Sequence, residues 1–314
     1  MTLERFHLVF ARGGDGPPPR FIALLEHECR ARGLTFAHCR THDHAAWLLH
    51  GLAQRALVVD MLVDYMGRSF RCDDALTRAV RERGGLVVED PDRVRAYGSK
   101  AAMHLALVRA GVPLPRTLIW RAGRPVRELS PAERILLGQR FVVKPAHGSG
   151  CAGVSLHVDG SRAALEAAID DPDDDYLLQE FVQPLSLDGR PAWFRVYNCF
   201  GHVFVCFWHP ETHATSLVTP EELAAYGLGE LERLSRRIAA VCGYRWFSSE
   251  IAMTARGGRR VLLPIDYNNN KPFMIAHSEF GERGMPDQVV EAAARVLVET
   301  AARHAERREQ ALAV

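Results

Sequence analysis

The first 95 residues alternate short apolar segments with helical patterns, and this alternation restricts the fold more than any other feature of the sequence. The apolar segments that predict strands are 7–10, 34–39, 56–60 and 86–88. Apolar residues at helical spacing predict helices over 20–32, 45–54 and 70–83. Strands that alternate with helices in this way predict βαβ units around a parallel sheet.

A turn at 90–92 is predicted to end this first domain, because Asp-Pro-Asp is a typical turn sequence. The helices predicted beyond it are 100–110, 131–138, 162–169, 230–241 and 287–307. The strands predicted beyond it are 118–120, 141–144, 154–157, 176–182, 192–200, 203–208, 247–253 and 261–267. Two pairs of these strands are joined by short Gly-containing turns and predict hairpins.

Length and charge restrict the function. A chain of 314 residues is long enough for two or three compact units. The net charge of +1 gives no strong field to attract nucleic acid or an anionic membrane, so we expect neither as a partner. No apolar run approaches the ~20 residues that span a bilayer. We therefore expect a small-molecule substrate.

The cysteines and the N-terminal segment indicate a cytoplasmic protein. The seven cysteines are scattered, and no pair has C-x-x-C spacing, so we expect reduced thiols rather than disulfides or a zinc site. The first residues lead directly into a short apolar strand, without the apolar core of a signal peptide.

Lysine is rare in this sequence. Only Lys100, Lys144 and Lys271 are lysines among the 39 Lys and Arg residues, so arginine supplies nearly every other cation. Lysine places a compact charge on a flexible stem, which suits phosphate binding. All three lysines fall in motifs with other signs of function, which favours a role at phosphates over chance.

The strongest of these motifs is the segment 141–154, in which an apolar strand ends at Lys144. Gly148, Gly150 and Gly153 follow before the next strand. Glycines let backbone N–H groups approach phosphate oxygens. The lysine precedes the glycines and a strand follows them, so this is not a Walker loop. A hairpin with an unrelated lysine is the alternative, and His147 in the loop fits either phosphate contact or plain exposure.

Two further patterns are consistent with a nucleotide site. The strand 176–182 runs into a polar exit, where an extended backbone could hydrogen-bond adenine; taken alone, it is more typical of an ordinary sheet strand. Glu250 and Asp266 fall on strands predicted to be neighbours, and Asn268 lies two residues after Asp266, on the same strand face. Two carboxylates and an amide oxygen suit Mg²⁺. The alternative is that these carboxylates are exposed charges at strand ends.

In this order, the three patterns resemble the ATP-grasp superfamily over nearly the whole chain. The resemblance implies an α/β and α+β architecture in which two α+β lobes sandwich the nucleotide. Residues 1–95 would form the N-terminal βαβ (pre-ATP-grasp) domain, 96–178 the first, lid-forming lobe, and 179–314 the C-terminal lobe with the metal site. Dimers are common in the superfamily, so a homodimer is among the assemblies to expect.

The resemblance also implies ATP with Mg²⁺, or Mn²⁺ in its place, as cofactors, and it assigns roles to individual residues. Those that correspond to nucleotide-binding positions are Lys100, Lys144, His147, Gly148, Ser149, Gly150, Gln179, Glu180, Phe181, Val182 and, for ribose, Asp188. Glu250, Asp266 and Asn268 correspond to metal ligands. Arg195, with Lys144, corresponds to the catalytic cations at the transferred phosphate.

The substrate side departs from the superfamily pattern. The usual acid-x-Asn-x-x-Pro-Gly ending is replaced by Asn268-Asn-Asn-Lys-Pro272, which leaves the substrate class open. Arg195, Asn270 and Lys271 are the residues expected to contact substrate. The resemblance implies an ADP-forming ligase that activates a carboxylate as an acyl-phosphate and couples it to an amine. A small-molecule kinase like the inositol-phosphate kinases is the alternative, and a nucleotide-binding module without turnover is a third.

Two other clusters have the composition of a metal site. His209, Glu211 and His213 would share one face of an extended segment, but Pro210 favours a loop. The acidic segment 171–175 is typical of a solvated turn rather than a cation site. We expect neither cluster to bind a metal.

Overall fold

The computed structural model describes residues 3–13, 19–65, 74–148, 150–270, 272 and 274–312. Strands β1 (Glu4–Ala11), β2 (Phe36–Cys39), β3 (Leu57–Asp64) and β4 (Leu86–Val88) form a parallel sheet in the order β2-β1-β3-β4. The connecting helices are α1 (Arg20–Ala31), α2 (His42–Ala53) and α3 (Ala75–Glu82). This confirms the parallel sheet predicted from the alternating pattern.

Each face of the parallel sheet is covered by helices. Leu8 and Phe10 of β1 pack with α1 and with α11 (Asp287–Leu312), the last helix of the chain. Val9 and Ala11, which alternate with them, pack with α2 and α3 on the other face. A parallel sheet buried on both faces explains why its strands are almost uniformly apolar.

The C-terminal helix is tied to the parallel sheet by a buried charge cluster. Asp60 of β3 is completely buried, and its carboxylate accepts hydrogen bonds from Arg5 Nε at 2.6 Å and Arg308 Nη1 at 2.7 Å. Because a buried carboxylate is costly without partners, these two arginines stabilise the contact.

The domain boundaries expected at residues 95 and 178 stay predictions.

The turn predicted at 90–92 is instead the start of a helix. Helix α4 (Pro91–Tyr97) begins directly after Asp90, whose side chain accepts from the backbone N–H of Asp92 at 2.8 Å. The prediction was wrong because Asp followed by Pro is also a preferred N-cap and first-turn sequence. Helix α5 (Lys100–Arg109) follows, with Ser99 as its N-cap.

A second sheet is antiparallel. Strands β5 (Thr117–Trp120), β6 (Phe141–Pro145), β7 (Ser155–Val158) and β8 (Tyr176–Glu180) are arranged in the order β5-β8-β6-β7. Helices α6 (Pro131–Leu137) and α7 (Arg162–Ala168) complete this unit. Phe141, Val143, Tyr176 and Leu178 form its core.

The third sheet is the largest. After a short hairpin of β9 (Ser186–Leu187) and β10 (Arg190–Pro191), it has the order β13-β12-β11-β14-β15. Its strands are β11 (Trp193–Cys199), β12 (His202–Trp208), β13 (Thr215–Leu217), β14 (Trp246–Arg256) and β15 (Arg259–Asn270). The helices that accompany it are α8 (Pro220–Ala225), α9 (Gly229–Cys242) and α10 (His277–Phe280). The sequence analysis predicts neither β13 nor α8, although the capping box of α8 resembles that of α6.

The edge position of β15 explains the proline within it. Pro264 lies opposite Ile251 of β14, and β15 has no partner on its other side in the described sheet. Proline is tolerated there because an edge strand does not need every N–H. No helix in the described ranges is long and apolar enough to cross a bilayer.

Candidate functional site

Lys144 occupies the centre of the candidate site. It lies near the end of β6 and is only 6% exposed. Its Nζ donates to the backbone carbonyl of Ile265 at 2.7 Å and to Gln179 Oε1 at 3.1 Å. Burial lowers the pKa of Lys144 to about 8, although the negative charge of Asp266 opposes the shift. The ammonium is hydrogen-bonded only to neutral groups among the described residues.

A chain of hydrogen bonds behind Lys144 fixes its partner Gln179. Gln179 Nε2 donates to the Tyr267 hydroxyl at 3.0 Å, and that hydroxyl lies 2.6 Å from His104 Nδ1. Burial lowers the pKa of His104 to about 4, with a further contribution from the charge of Lys144. The imidazole is therefore neutral at pH 7 and accepts the Tyr267 proton, which orients Gln179 Oε1 toward Lys144.

The sequence analysis missed both His104 and Tyr267. A signal for Tyr267 was present, because it alternates with Asp266 along β15 and must point to the opposite face of the strand. His104 had no comparable signal. It lies on α5, 163 residues from Tyr267 in sequence, and only the packing of α5 against β15 brings the two together.

Three charged side chains lie side by side on β11, β14 and β15. Arg195 is opposite Glu250, and Glu250 is opposite Asp266. An Arg195 nitrogen, Nη1, lies 3.8 Å from Glu250 Oε1. The pairing of β14 with β15 shifts register on both sides of Glu250, and such irregularities commonly re-aim a side chain next to a site. The prediction that Glu250 and Asp266 fall on neighbouring strands is confirmed.

The described residues around Glu250 and Arg195 do not fully satisfy the charges and hydrogen-bonding groups of these two side chains. Burial raises the pKa of Glu250; Arg195 counteracts this shift, and the adjacent charge of Asp266 adds to it. Arg195 Nε is buried and has no hydrogen-bond partner among the described residues. Buried polar atoms normally have partners, so an orphaned guanidinium nitrogen beside two carboxylates indicates a place for a ligand.

Lys100 and the glycine-rich loop lie at the same end of the second sheet. Lys100 Nζ donates to the Gly148 carbonyl at 2.6 Å, and its backbone N–H donates to Ala146 O at 2.9 Å. Gly148 and Gly150 have φ angles of 135° and 65°, which side chains disfavour. Ser149 lies outside the described residues. The structure therefore brings Lys100 to the loop, as the sequence analysis expects.

His147 makes a local contact. Its Nδ1 lies 2.7 Å from Asp174 Oδ1, and its backbone N–H donates to the same carboxylate. The acidic segment 171–175 thus holds the glycine-rich loop, and Asp175 pairs with Arg121 at 2.7 Å. His209 Nδ1 accepts from the backbone of Glu211 at 3.3 Å, in a turn. No group of three His, Cys, Asp or Glu side chains in the described ranges could hold a metal by itself.

Strand β8 ends at Glu180, two residues before the end predicted for this strand. Residues 179–182, for which the resemblance implies adenine contacts, are called the hinge below. The Glu180 carboxylate is fully engaged: it accepts from Arg116 N and Nε, both at 2.7 Å, and pairs with Arg256. It joins the second sheet to the third rather than facing a ligand. The backbone groups of Phe181 and Val182 are the hinge groups left for a ligand, since the strand pairing of β8 stops before them.

An apolar surface lies beside the hinge. Val182 packs with Ala252 and Leu263, and Ile265 lies against this cluster. Ile265 also presents the carbonyl that holds Lys144. An apolar cluster with a partly buried Ile265 beside the hinge backbone suits a planar heterocycle, and the adjacent ammonium suits the phosphates of the same molecule.

The other residues predicted for the site lie in the β9–β10 turn and near or just after the end of β15. Asp188 is exposed in the β9–β10 turn and accepts from the Tyr226 hydroxyl. Asn270 ends β15 opposite Phe247. Asn268 lies in β15, but its side chain is outside the description, and so is Lys271. Their predicted roles stay predictions.

A pocket of about 230 Å³ opens beside Arg195. Its wall includes Tyr197, Trp208, His213 and Arg283, and the described residues that line it include no Asp or Glu. The sequence analysis did not predict this pocket, because its walls come from segments that are distant in the chain.

Comparison with known proteins identifies the architecture. No protein-family model matches the sequence, and no curated protein matches it. Among solved structures, a RimK domain protein ATP-grasp from Sphaerobacter thermophilus is 17% identical, with a TM-score of 0.59 over 93% of this chain and 98% of that one. The chain has the ATP-grasp fold.

Two further ATP-grasp structures match over almost their full length. D-alanine–D-alanine ligase from Bacillus anthracis, complexed with ATP, is 14% identical, with a TM-score of 0.60 over 97% of this chain and 99% of that one. The ATP-grasp ligase PsnB, complexed with a minimal precursor, Mg and ADP, is 14% identical, with a TM-score of 0.61 over the same shares. The ATP-grasp resemblance stated from the sequence is thereby confirmed.

The donor set of the candidate site fits Mg²⁺ only together with phosphates. Glu250 and Asp266 supply two carboxylates on adjacent strands. Mg²⁺ is commonly bound by one or two carboxylates plus phosphate oxygens and water, rather than by an all-protein cage. The raised pKa of Glu250 reflects burial and a crowded negative charge, both of which a cation would offset.

Proposed function

We propose that this protein is an ATP- and Mg²⁺-dependent ligase. It would activate a small carboxylate as an acyl-phosphate and join it to an amine, releasing ADP and phosphate. The observation that carries the proposal is the convergence of Lys144, the Arg195–Glu250–Asp266 row and the pocket beside Arg195. It combines a phosphate-binding ammonium, metal-type ligands and an anion-attracting pocket.

Nucleotide binding follows from the hinge and the lysines. Backbone groups of Phe181 and Val182 would hydrogen-bond adenine, whose face would lie on the Val182–Leu263 cluster. The Lys144 ammonium donates its hydrogen bonds to neutral acceptors, so a phosphate oxygen could bind it without displacing a carboxylate. Lys100 would exchange its contact with the Gly148 carbonyl for a phosphate oxygen. The loop amides would then cover the phosphates.

Glu250 and Asp266 are the residues that would hold Mg²⁺, with Asn268 as a third ligand from the same strand. The cation would neutralise negative charge on the phosphates in the reacting complex. Arg195, beside both carboxylates, would donate to the transferred γ-phosphoryl group, since its Nε has no hydrogen-bond partner in the described part of the chain. Positioned cations of this kind are a principal source of catalysis in phosphoryl transfer.

The pocket favours a carboxylate as the attacking group. An alcohol must lose a proton as it attacks, which normally requires a positioned base such as Asp. The described lining of the pocket contains no Asp or Glu, and its one imidazole, that of His213, is stacked on Trp208. A carboxylate needs no base, because it is already deprotonated at pH 7. Its oxygen would form a bond to the γ-phosphorus while the bond to the ADP oxygen breaks. The amine would then attack the carbonyl carbon, lose a proton, and expel phosphate.

The structural neighbours support this proposal in general terms. One is a D-alanine–D-alanine ligase complexed with ATP and another a ligase complexed with Mg and ADP. At 14% identity they share the fold with this chain, and the substrate must be found by experiment.

The test is a matrix of acids and amines scored by ADP and phosphate release, with hydroxylamine to trap an acyl-phosphate as a hydroxamate. We expect turnover only when acid, amine and Mg²⁺ are all present, and none after chelation. Arg195→Met should lower kcat about 10²- to 10³-fold, as expected for loss of a charge-stabilising donor. Asp43→Asn, on an exposed helix, is the control and should behave as wild type.

Other outcomes would redirect the proposal. A phosphorylated alcohol that resists hydroxylamine would establish a kinase, with His213 as the base to test. Tight Mg-ATP binding without ADP formation across the whole matrix would indicate a nucleotide-binding module. Turnover that is unchanged in Arg195→Met would refute the site itself.

A further inference from the structure

The pocket beside Arg195 has rigid aromatic walls. Trp208 is 7% exposed, and its ring stacks on His213 with centroids 5.3 Å apart and planes 18° from parallel. His213 has a left-handed backbone, φ 61°, and the turn that presents it is closed by hydrogen bonds between His209 and the 213–214 backbone. Tyr197, which is buried, contributes a further ring to the lining. These rings supply apolar contacts in a pocket whose lining also includes polar side chains, among them Thr215 and Asn269.

A second wall of the pocket, formed by the turn 281–284, is also fixed by contacts with the rest of the protein. The turn 281–284 carries Arg283 and is fixed to β13 by the Thr215 hydroxyl, which donates to the Gly284 carbonyl. A Cβ at Gly284 would lie 2.5 Å from the Ala276 carbonyl oxygen, so the backbone there is in direct contact with the preceding segment. Phe280, before this turn, lines the pocket and is 57% exposed. The pocket is therefore a formed site.

The described residues that line the pocket include two arginines and no carboxylate. Arg283 has no ion-pair or hydrogen-bond partner in the part of the chain that the structure describes, whereas Arg195 lies beside Glu250 at 3.8 Å. A guanidinium without an ion pair in the wall of a pocket favours an anionic ligand, and guanidinium pairs well with a carboxylate.

The size of the pocket limits the body of that anion. A dry cavity of about 150 Å³ accepts benzene, and this pocket measures about 230 Å³. The additional volume is enough for a carboxylate and a short linker beside the ring. A two-carbon acid would leave most of the apolar wall without contacts, which forfeits dispersion and burial energy.

We propose that this pocket selects carboxylic acids whose body is a planar aromatic ring, with the ring against the Trp208–His213 stack and Phe280 and the carboxylate toward Arg195 and Arg283. This rests on the proposed function, since the acid must lie beside the transferred phosphate. It adds the substrate class: aryl and arylalkyl acids, in preference to small aliphatic acids.

Calorimetric titration of the full-length protein, saturated with Mg-ADP, tests the selectivity directly. The probes are benzoate, phenylacetate and acetate at equal ionic strength. We expect the better aryl acid to bind at least tenfold more tightly than acetate. Phe280→Ala, at an exposed position, should reduce this preference several-fold without a change in thermal stability. Trp208→Ala should abolish the preference, and its circular dichroism reports whether β12 is intact.

Arg283→Gln tests the anion side, with Arg236→Gln as the control on an exposed helix face. The first should weaken all three acids, and the second none. Equal affinity for acetate and the aryl acids, or an aryl preference that survives both Phe280→Ala and Trp208→Ala, would overturn the inference. Hydroxamate formation separates this from the proposed function: aliphatic acids that react while aryl acids do not would refute the substrate class and leave the ligase standing.

Discussion

Acidification should destabilise this protein through His104. The imidazole is 5% exposed and accepts a hydrogen bond from the Tyr267 hydroxyl, so the folded state requires its neutral form. Burial lowers its pKa from 6.5 to about 4. Because the unfolded chain binds the proton more readily, the contribution of His104 to stability is complete above pH 6.5 and is lost as the pH falls toward 4.

The size of the effect follows from the two pKa values. Each pKa unit is equivalent to about 1.36 kcal/mol, so the full shift of 2.5 units (6.5 minus 4) corresponds to roughly 3 kcal/mol. Between pH 7 and pH 5 the linkage relation gives about 2 kcal/mol. This is a large fraction of the roughly 5–15 kcal/mol by which native proteins are stable.

Urea unfolding at a series of pH values measures this contribution when wild type is compared with His104→Gln. The glutamine oxygen can still accept from Tyr267, but it does not titrate. Other titrating groups are common to both proteins, so the difference between their free energies of unfolding isolates His104. We expect wild type to lose about 2 kcal/mol more than the variant between pH 7 and pH 5.

His202→Gln is the matched control, since it removes an exposed imidazole from a hairpin end. It should follow the wild-type curve at every pH. If wild type and His104→Gln instead lose stability in parallel, His104 is not held neutral by burial, and the orientation assigned to the Gln179 amide would lose its support.

Two further predictions concern the hinge and the pocket wall. Glu180→Gln removes the charge that pairs with two arginines at the hinge. In steady-state kinetics, KM for ATP should rise several-fold while kcat stays within about twofold. The reason is that the carboxylate positions the hinge and does not touch the phosphates. An unchanged KM would contradict this. Gly284→Ala should destabilise the fold by about 1–3 kcal/mol in thermal unfolding, since its Cβ would collide with the Ala276 carbonyl. Gly229→Ala is the control and should not destabilise the fold, because a Cβ at Gly229 meets open space. Equal melting temperatures of the two variants would refute the close packing at Gly284.

The parts of the site that the sequence predicted are those fixed by local geometry. Glu250 and Asp266 lie on two strands joined by the tight Gly257-Gly258 turn, and a short hairpin turn makes its two strands neighbours, although the register shifts beside Glu250 decide which residue lies opposite it. Lys144 was recognisable because an apolar strand ends beside it and glycines follow. In each case the residues that form the pattern lie within about twenty positions of one another in the sequence, so their types and spacing are sufficient for the prediction.

The parts that were missed depend on tertiary contacts. Trp208, His213 and Arg283 line one pocket although they come from a strand end, a turn and a segment some seventy residues later. Their sequence neighbourhoods resemble ordinary core or loop. The error at Asp90 has another cause, because the same residues favour a turn and a helix N-cap, and the packing that follows decides between them.

The electrostatics of the site argue that its two halves need the same ligand. On the second sheet, the hydrogen-bond partners of the buried Lys144 among the described residues are all neutral, so its charge has no direct ion pair there. On the third sheet, Glu250 and Asp266 crowd negative charge against a single arginine. A free anion would relieve the first half and be repelled by the second, and a free cation would do the reverse. A polyphosphate with a divalent cation would satisfy both, because its oxygens would bind Lys144 while its metal would bind the carboxylates. The arrangement therefore favours the complete metal–nucleotide complex over either of its components.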